Sequence, residues 1–185
     1  MNADIRIRYF REVALNLRHE GFTIKPETED GLLPVEQLDG QPLCQVTETG
    51  GVRYRKENAA DDIRSEALDK VIGIARTTVA YIRQLEAAPQ LTTNGLTGDC
   101  RLLAEFNDTV LAGHPTKYGV QFITWEWGRG HTALYRSHCY SPGGVDSYAA
   151  AKRDFAVRSG LVLHSALFAP EQLTEKAHLG GMEMR

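Results

Sequence analysis

The residues best suited to chemistry lie close together in FITWEWGRGHTALYRSHCY, residues 122–140. This segment holds both tryptophans of the chain, two of its six histidines and one of its three cysteines. Histidine and cysteine serve as metal ligands, general bases and nucleophiles. Glu126 adds a carboxylate that could exchange protons with His131 or His138. The segment is therefore the first place to look for a catalytic or metal-binding cluster.

Strand geometry divides these residues. Glycines at 128 and 130 predict a three-residue turn that pairs Trp127 with His131, and hence Ile123 with Tyr135. Side chains alternate across a strand, so the neighbours His138 and Cys139 point to opposite faces and cannot ligate one metal or act as base and nucleophile. We therefore expect neither an enzyme nor a bound metal or cofactor.

The same alternation places Trp125 and Trp127 on one face, with Arg129 at the turn and Arg136 nearby. Tryptophan and arginine dominate the energetic hot spots of binding interfaces. This set is either the centre of a core hairpin or the edge of a binding surface. Burial of the two indoles decides between these alternatives.

The composition is that of an ordinary globular protein, with 185 residues, 42% hydrophobic, 24% charged and a net charge of −3. The chain has no run of 18 apolar residues, so we expect no membrane span. The N-terminus is charged and does not resemble a signal peptide, so we expect a cytoplasmic protein. Cys44, Cys100 and Cys139 are far apart and odd in number, which predicts buried thiols rather than a disulfide framework.

Charge is distributed unevenly in the first quarter of the chain. Residues 6–18 carry four arginines, and residues 27–39 carry five acidic residues without a cation. Such runs are usually solvated faces, but they also supply patches complementary to a partner. The candidates are Arg6, Arg8, Arg11 and Arg18, and, in the acidic segment, Glu27, Glu29, Asp30, Glu36 and Asp39.

Two long helices are predicted in the first half, at 3–20 with Gly21 as its C-terminal cap and at 61–87 with an apolar stripe that includes Ile63. Between them, Asp39-Gly40 predicts a hairpin with a type I′ turn. Residues 52–57 alternate and predict a further strand. Residues 89–97 are predicted to form a linker.

The second half repeats the order of strands followed by a helix. A turn at Asn107-Asp108, two strands in 118–140 and a helix over 147–160 capped by Asp146 or Ser147 are predicted, with a last short helix from Pro170. The pattern indicates an α+β protein, with antiparallel hairpins and helices on one face. The two halves of the chain are residues 1–88 and 98–185, and we expect them to pack into one compact unit.

Three segments resemble a known family: RYFREVALNLRHEGFTIKPETEDGLLPVE (8–36), LAEFNDTVLAGHPTKYGVQFITWEW (103–127) and AAAKRDFAVRSGL (149–161). They look like small proteins of bacterial mobile genetic elements, a mostly uncharacterised family that includes inhibitors of the type II CRISPR nuclease. The resemblance implies a non-enzymatic inhibitor that binds the nuclease–guide complex and blocks DNA targeting. It covers roughly residues 5–170 and brings no assigned functional residues.

Two further interpretations stay open. The four arginines of the first helix could contact DNA directly, as in a nucleic-acid-binding accessory protein of a mobile element. Alternatively, the protein could be an enzyme that uses Glu126, His131 or His138. The sequence also leaves a homodimer open.

Overall fold

The computed structural model describes residues 3–128 and 130–163. Arg129 and the helix predicted from Pro170 lie outside the described residues. The elements, in chain order, are α1 (Ala3–His19), β1 (Thr23–Ile24), β2 (Leu33–Glu36), β3 (Pro42–Val46), β4 (Val52–Arg53), a 3-10 turn (Lys56–Ala59), α2 (Asp62–Ala87), β5 (Arg101–Phe106), β6 (Thr109–Thr116), β7 (Gly119–Trp127), β8 (Leu134–Cys139) and α3 (Val145–Arg158).

The architecture is α+β, as predicted. Strands β1–β4 and strands β5–β8 form two antiparallel sheets, each with its four strands in chain order. Each sheet is followed by a helix, α2 after the first and α3 after the second. One main core combines residues from both halves of the chain. None of the helices in the described residues is long and apolar enough to cross a membrane.

The two long helices form where the sequence predicts them. In α1, Tyr9, Val13 and Leu17 are completely buried at a spacing of four residues. Gly21 takes a φ of +88°, and the amide of Phe22 donates to the carbonyl of Leu17 at 3.0 Å, which closes the helix end.

Helix α2 begins as expected, because Asp61 accepts a hydrogen bond from the Arg64 amide at 2.8 Å. The placement of Ile63 on the buried stripe is wrong. Its side chain is 77% exposed, because the buried positions of α2 begin only at Leu68.

The hairpin of β2 and β3 is confirmed, but its turn type is wrong. Of the two turn residues, only Gly40 has a positive φ, +81°. The loop is longer than predicted and is closed by the Gln37 amide, which donates to the Gln41 carbonyl at 3.0 Å. Asp39 instead accepts from the Gln41 amide at 2.9 Å, a local side-chain bond that removes the need for a left-handed Asp39.

The strand predicted over 52–57 is shorter than expected. Only Val52 and Arg53 pair with β3, and the chain then turns into the 3-10 segment at Lys56. Residues 54 and 55 therefore lie outside the sheet, and they line a concave surface beside it.

In the second sheet, the Asn107-Asp108 turn is confirmed, since the two residues have φ of 44° and 59°. The predicted register of β7 and β8 is wrong. Trp127 pairs with Leu134 rather than His131, and the connecting loop is closed by the Gly128 amide, which donates to the Ala133 carbonyl at 2.9 Å.

A bulge in β8 returns the residues beyond it to the faces that the sequence predicts. Between the pairs Glu126–Tyr135 and Thr124–His138, one residue of β7 faces two residues of β8. Arg136, one of those two, has a φ of 51°. Beyond the bulge His138 and Cys139 alternate as predicted, whereas Tyr135 lies on the opposite face from the one expected.

Helix α3 starts earlier than predicted. Its N-cap is Gly144, with a φ of 112°, and Asp146 lies within the first turn rather than at the cap. Tyr148, Ala151 and Phe155 form the buried face of α3. The remaining face of the second sheet is covered by residues 89–100. Leu91 there is 5% exposed, and its amide donates to the Cys100 carbonyl at 2.7 Å.

Candidate binding surfaces

A buried carboxyl group fixes α1 against the second sheet. Glu12, 5% exposed, accepts hydrogen bonds from the Val120 amide at 2.8 Å and from the Tyr81 hydroxyl at 2.9 Å. Burial raises the pKa of Glu12, and the two hydrogen bonds and the charge of Arg11 offset only part of that effect. Glu12 therefore has a structural role at the meeting point of α1, α2 and β7.

Asn16, one turn further along α1, continues this network. Its amide donates to the Thr78 hydroxyl at 2.9 Å and the Tyr81 hydroxyl at 2.7 Å. Its side-chain oxygen accepts from the Gly144 amide at 2.8 Å. The glycine-rich start of α3 thus contacts a protein side chain, and Asn16 links α1 both to α2 and to the start of α3.

Three of the four candidate arginines share one face of α1. At 3.6 residues per turn, positions 8, 11 and 18 lie within about 80° of the helix circumference. Arg8 pairs with Glu86, and Arg11 donates to the Lys117 carbonyl at 3.2 Å. Arg18 is exposed, and its guanidinium forms no hydrogen bond or ion pair with the described residues.

A groove runs between this face of α1 and the turn that joins β6 to β7. Its volume is about 350 Å³. Arg8, Arg11 and Lys117 line it, and the buried carboxyl of Glu12 lies among them. This is a concave and basic surface built from two elements that the Glu12 network holds together.

Arg6 lies on the other side of α1 and belongs to a different contact. It pairs with Glu27, and it also lies 3.2 Å from Glu48. Within the acidic segment, Glu27 is thereby neutralised by a cation from α1. The four arginines therefore do not form a single surface.

The acidic segment is divided as well. Glu36 pairs with Lys25 at 3.1 Å. Glu29 and Asp30 are exposed in the turn before β2, whereas Asp39 is exposed in the loop after it. The four residues of β2 separate these two groups by about 13 Å. The segment does not present one continuous acidic strip.

The two tryptophans lie at the edge of a second, smaller core. Trp125 and Trp127 are half-buried and pack against the cluster of Leu91, Cys100, Val110 and Ala112. The Trp127 indole donates to Glu105 at 2.9 Å, and its ring lies 5.3 Å from the His131 ring.

Arg136, which was expected beside the tryptophans, does not join them. Arg136 extends its guanidinium to Glu126 at 3.2 Å. Arg129 lies outside the described residues.

Of the three residues considered for acid–base chemistry, His131 is separate, whereas Glu126 and His138 are linked through Arg158 and Asp154. His131 pairs with Asp108 at 2.8 Å, while His138 lies 3.2 Å from both carboxyl oxygens of Asp154. Glu126 accepts from Arg158 at 3.0 Å. In the part of the chain that the structure describes, no group of three or more His, Cys, Asp or Glu side chains could hold a metal ion.

Asp154 is the centre of the network that ties α3 to the second sheet. It accepts from the Thr124 hydroxyl and lies 3.6 Å from Arg158. Burial acts to raise the pKa of Asp154, but the hydrogen bonds from Thr124 and His138 and the charges of His138 and Arg158 outweigh it, so the pKa is lowered. His138 thus has a partner that fixes its ring.

The cysteines divide two to one. Cys44 and Cys100 are buried, as predicted, but Cys139 is exposed. Cys139 belongs to β8, the last strand of its sheet, where the side chains of residues 135–139 are all exposed. The expectation of three buried thiols is therefore wrong for Cys139.

A second concave surface was not predicted from the sequence. It lies on the first sheet, has a volume of about 610 Å³ and is lined by Arg53, Tyr54, Arg55 and Arg64 among others. The sequence signal is the pair of arginines around Tyr54 in VRYRKE, a segment whose alternation predicts a strand. Arg64 belongs to α2, and its proximity follows only from the fold.

No protein-family model, curated protein or solved structure matches the chain.

Proposed function

We propose that this protein is a non-catalytic binding protein that inhibits a type II CRISPR nuclease by binding its complex with guide RNA. The structural observation that carries the proposal is the basic groove between α1 and the β6–β7 turn. Arg8, Arg11 and Lys117 converge there, and Arg18 extends the same face of α1. Arginine and lysine side chains of this kind bind phosphate groups.

The surface geometry favours a contact with nucleic-acid phosphates over mimicry of DNA. An inhibitor that imitates DNA needs a continuous acidic strip to enter the basic channel that holds the guide–target duplex. In this protein the acidic segment is split between the two ends of β2, and Glu27 and Glu36 have their own cations. The basic groove instead suits phosphates that remain accessible on the nuclease–guide complex.

The nature of the target comes from the sequence. Residues 8–36, 103–127 and 149–161 resemble mobile-element proteins that include inhibitors of this nuclease. The same segments contain most of α1 and the β6–β7 turn, which together build the groove. Each of Glu126, His131 and His138 is held by another charged side chain, which favours a binding role.

The experiment is a DNA cleavage assay with a purified type II nuclease and its guide. Wild-type protein in excess should abolish cleavage and co-elute with the complex. The variant R11E/R18E should weaken inhibition by at least about tenfold, since each reversal removes a charge-assisted contact worth about 1.5–3 kcal/mol.

The matched control is R76E/R153E, which makes the same charge change at two exposed arginines outside the groove. It should inhibit as well as the wild type. Undiminished cleavage with no co-elution rejects the proposal for that nuclease, and equal loss in both variants rejects the groove as the binding surface.

The same groove supports a second candidate, a DNA-binding accessory protein of a mobile element. The observation in its favour is that Arg8, Arg11 and Arg18 share one helix face. It predicts retardation of DNA without nuclease and a steep loss of affinity with salt. Retardation by the protein alone, together with unimpaired cleavage in its presence, would favour this candidate over the inhibitor.

A further inference from the structure

The cavity on the first sheet, far from the groove in sequence and built by other elements, has the composition of a ligand site. Strands β2, β3 and β4 supply its floor, and the 3-10 turn and the start of α2 form its wall. Its volume, about 610 Å³, falls within the range of about 300–1,000 Å³ that is typical of small-molecule sites.

Strand pairing explains why Arg53 stands over this cavity. Arg53 pairs with Gln45, which pairs in turn with Pro34, so the three lie on one face of the sheet. The opposite face carries Val35 and Val46, which are buried in the main core. Arg53 is therefore directed away from the core, onto the outer face of the sheet.

The wall of the cavity positions Arg64. Asn58, in the 3-10 turn, donates to the Leu43 carbonyl at 2.7 Å and is thereby tied to β3. The same side chain accepts from the Arg64 guanidinium at 3.3 Å, and Asp61 lies 3.7 Å from Arg64. Arg64 is thus held beside the cavity while its charge is only weakly paired.

Arg53 and Arg55 have no such partner. Both are exposed, and neither guanidinium forms a hydrogen bond or ion pair with any of the described residues. The one carboxylate in the lining, Glu36, already pairs with Lys25 at 3.1 Å. Three guanidinium groups around one concavity repel one another, and an anion bound among them would relieve that repulsion.

We propose that this cavity binds a nucleoside phosphate, either as a free nucleotide or as a unit of single-stranded nucleic acid. Guanidinium groups form paired hydrogen bonds with phosphate oxygens, which suits Arg53, Arg55 and Arg64. Tyr54, between two of these arginines, is 51% exposed and offers a ring face on which a base can stack. The inference does not depend on the nuclease and goes beyond the proposed function.

Titration calorimetry at low salt tests the inference with three probes: ADP, a thymidine tetranucleotide and inorganic phosphate. ADP or the tetranucleotide should bind at least about tenfold more tightly than inorganic phosphate, since stacking on an aromatic ring adds about 1–3 kcal/mol per base. Tighter binding of ADP would identify a free nucleotide as the ligand, and tighter binding of the tetranucleotide would identify single-stranded nucleic acid. Both results support the site.

The variant R53A/R55A should weaken that binding at least about tenfold, and Y54A should remove the preference over inorganic phosphate. R76A/R153A, with two exposed arginines outside the cavity, is the matched control and should bind as the wild type does. If R53A/R55A melts at a lower temperature than the wild type, the single variant R55A replaces it in the binding test. Absence of binding by all three probes, no preference for the nucleotides, or full binding by the arginine variants would overturn the inference.

Discussion

Glu12 on α1 and Val120 on β7 are joined by a hydrogen bond of 2.8 Å across 108 residues of sequence. The same carboxyl oxygen accepts from Tyr81 on α2. Three elements therefore meet at one buried carboxyl group, which holds α1 beside the β6–β7 turn. Because the basic groove lies between these two elements, its shape depends on Glu12.

Replacing Glu12 with alanine should lower the free energy of unfolding by about 2–4 kcal/mol, because the Val120 amide and the Tyr81 hydroxyl each lose an acceptor in a buried site. Urea unfolding followed by circular dichroism measures the change. Glu86→Ala is the matched control. It removes the partly buried ion-pair partner of Arg8 and should cost less than about 1 kcal/mol. Similar losses in the two variants would show that Glu12 is not a structural centre.

The same carboxyl group should make the protein less stable as the pH rises. The pKa of Glu12 is raised above 4.5 in the folded protein, so above that pH the folded state holds a proton that the unfolded chain has released. Ionisation of Glu12 then costs stability as the pH rises through its folded pKa.

Glu12→Gln removes this ionisation but keeps an oxygen acceptor. The free energy of unfolding of wild type minus that of E12Q should therefore decrease as the pH rises above 4.5. Urea titrations of both proteins at a series of pH values measure the difference, in which the other groups cancel. A difference that grows with pH would contradict the raised pKa.

Much of the fold follows from local patterns. The buried stripes of α1 and α2 and the turn at Asn107-Asp108 each depend on residues close together in sequence, and each is confirmed apart from Ile63. The register of β7 and β8 could not be obtained in this way. A glycine-rich loop can close a hairpin at several lengths, and the bulge depends on a positive φ at Arg136, a residue type that does not signal one.

The surfaces were harder to predict than the elements. The cavity on the first sheet joins Arg53 and Arg55 to Arg64, which comes from the next helix, and no spacing within VRYRKE indicates that meeting. The arginines of α1 are visible in the sequence as a charged run, and helix periodicity already separates Arg6 from the others. Their partners, Glu27 and Glu86, come from distant segments, so the ion pairs could not be predicted from the sequence.

The indoles should report the half-buried position of the tryptophans. Each ring packs on one side against the smaller core, and Trp127 donates to Glu105. Acrylamide should therefore quench the native protein less than the urea-unfolded protein, but not negligibly. W125F and W127F separate the two contributions. Quenching of the native protein as strong as that of the unfolded chain would mean that the tryptophans form a fully exposed patch.

The three thiols should differ sharply in reactivity, because the thiolate is the reacting form and must be accessible. Burial raises the pKa of Cys44 to about 12, and burial together with the charge of Asp99 raises that of Cys100. Cys139 is exposed. The native protein should thus react with one equivalent of Ellman's reagent, and the unfolded protein with three. Cys139→Ser should abolish the native reaction, whereas Cys100→Ser should leave it unchanged. A native thiol that remains reactive in C139S would show that Cys44 or Cys100 is accessible, and that the core containing it opens in solution.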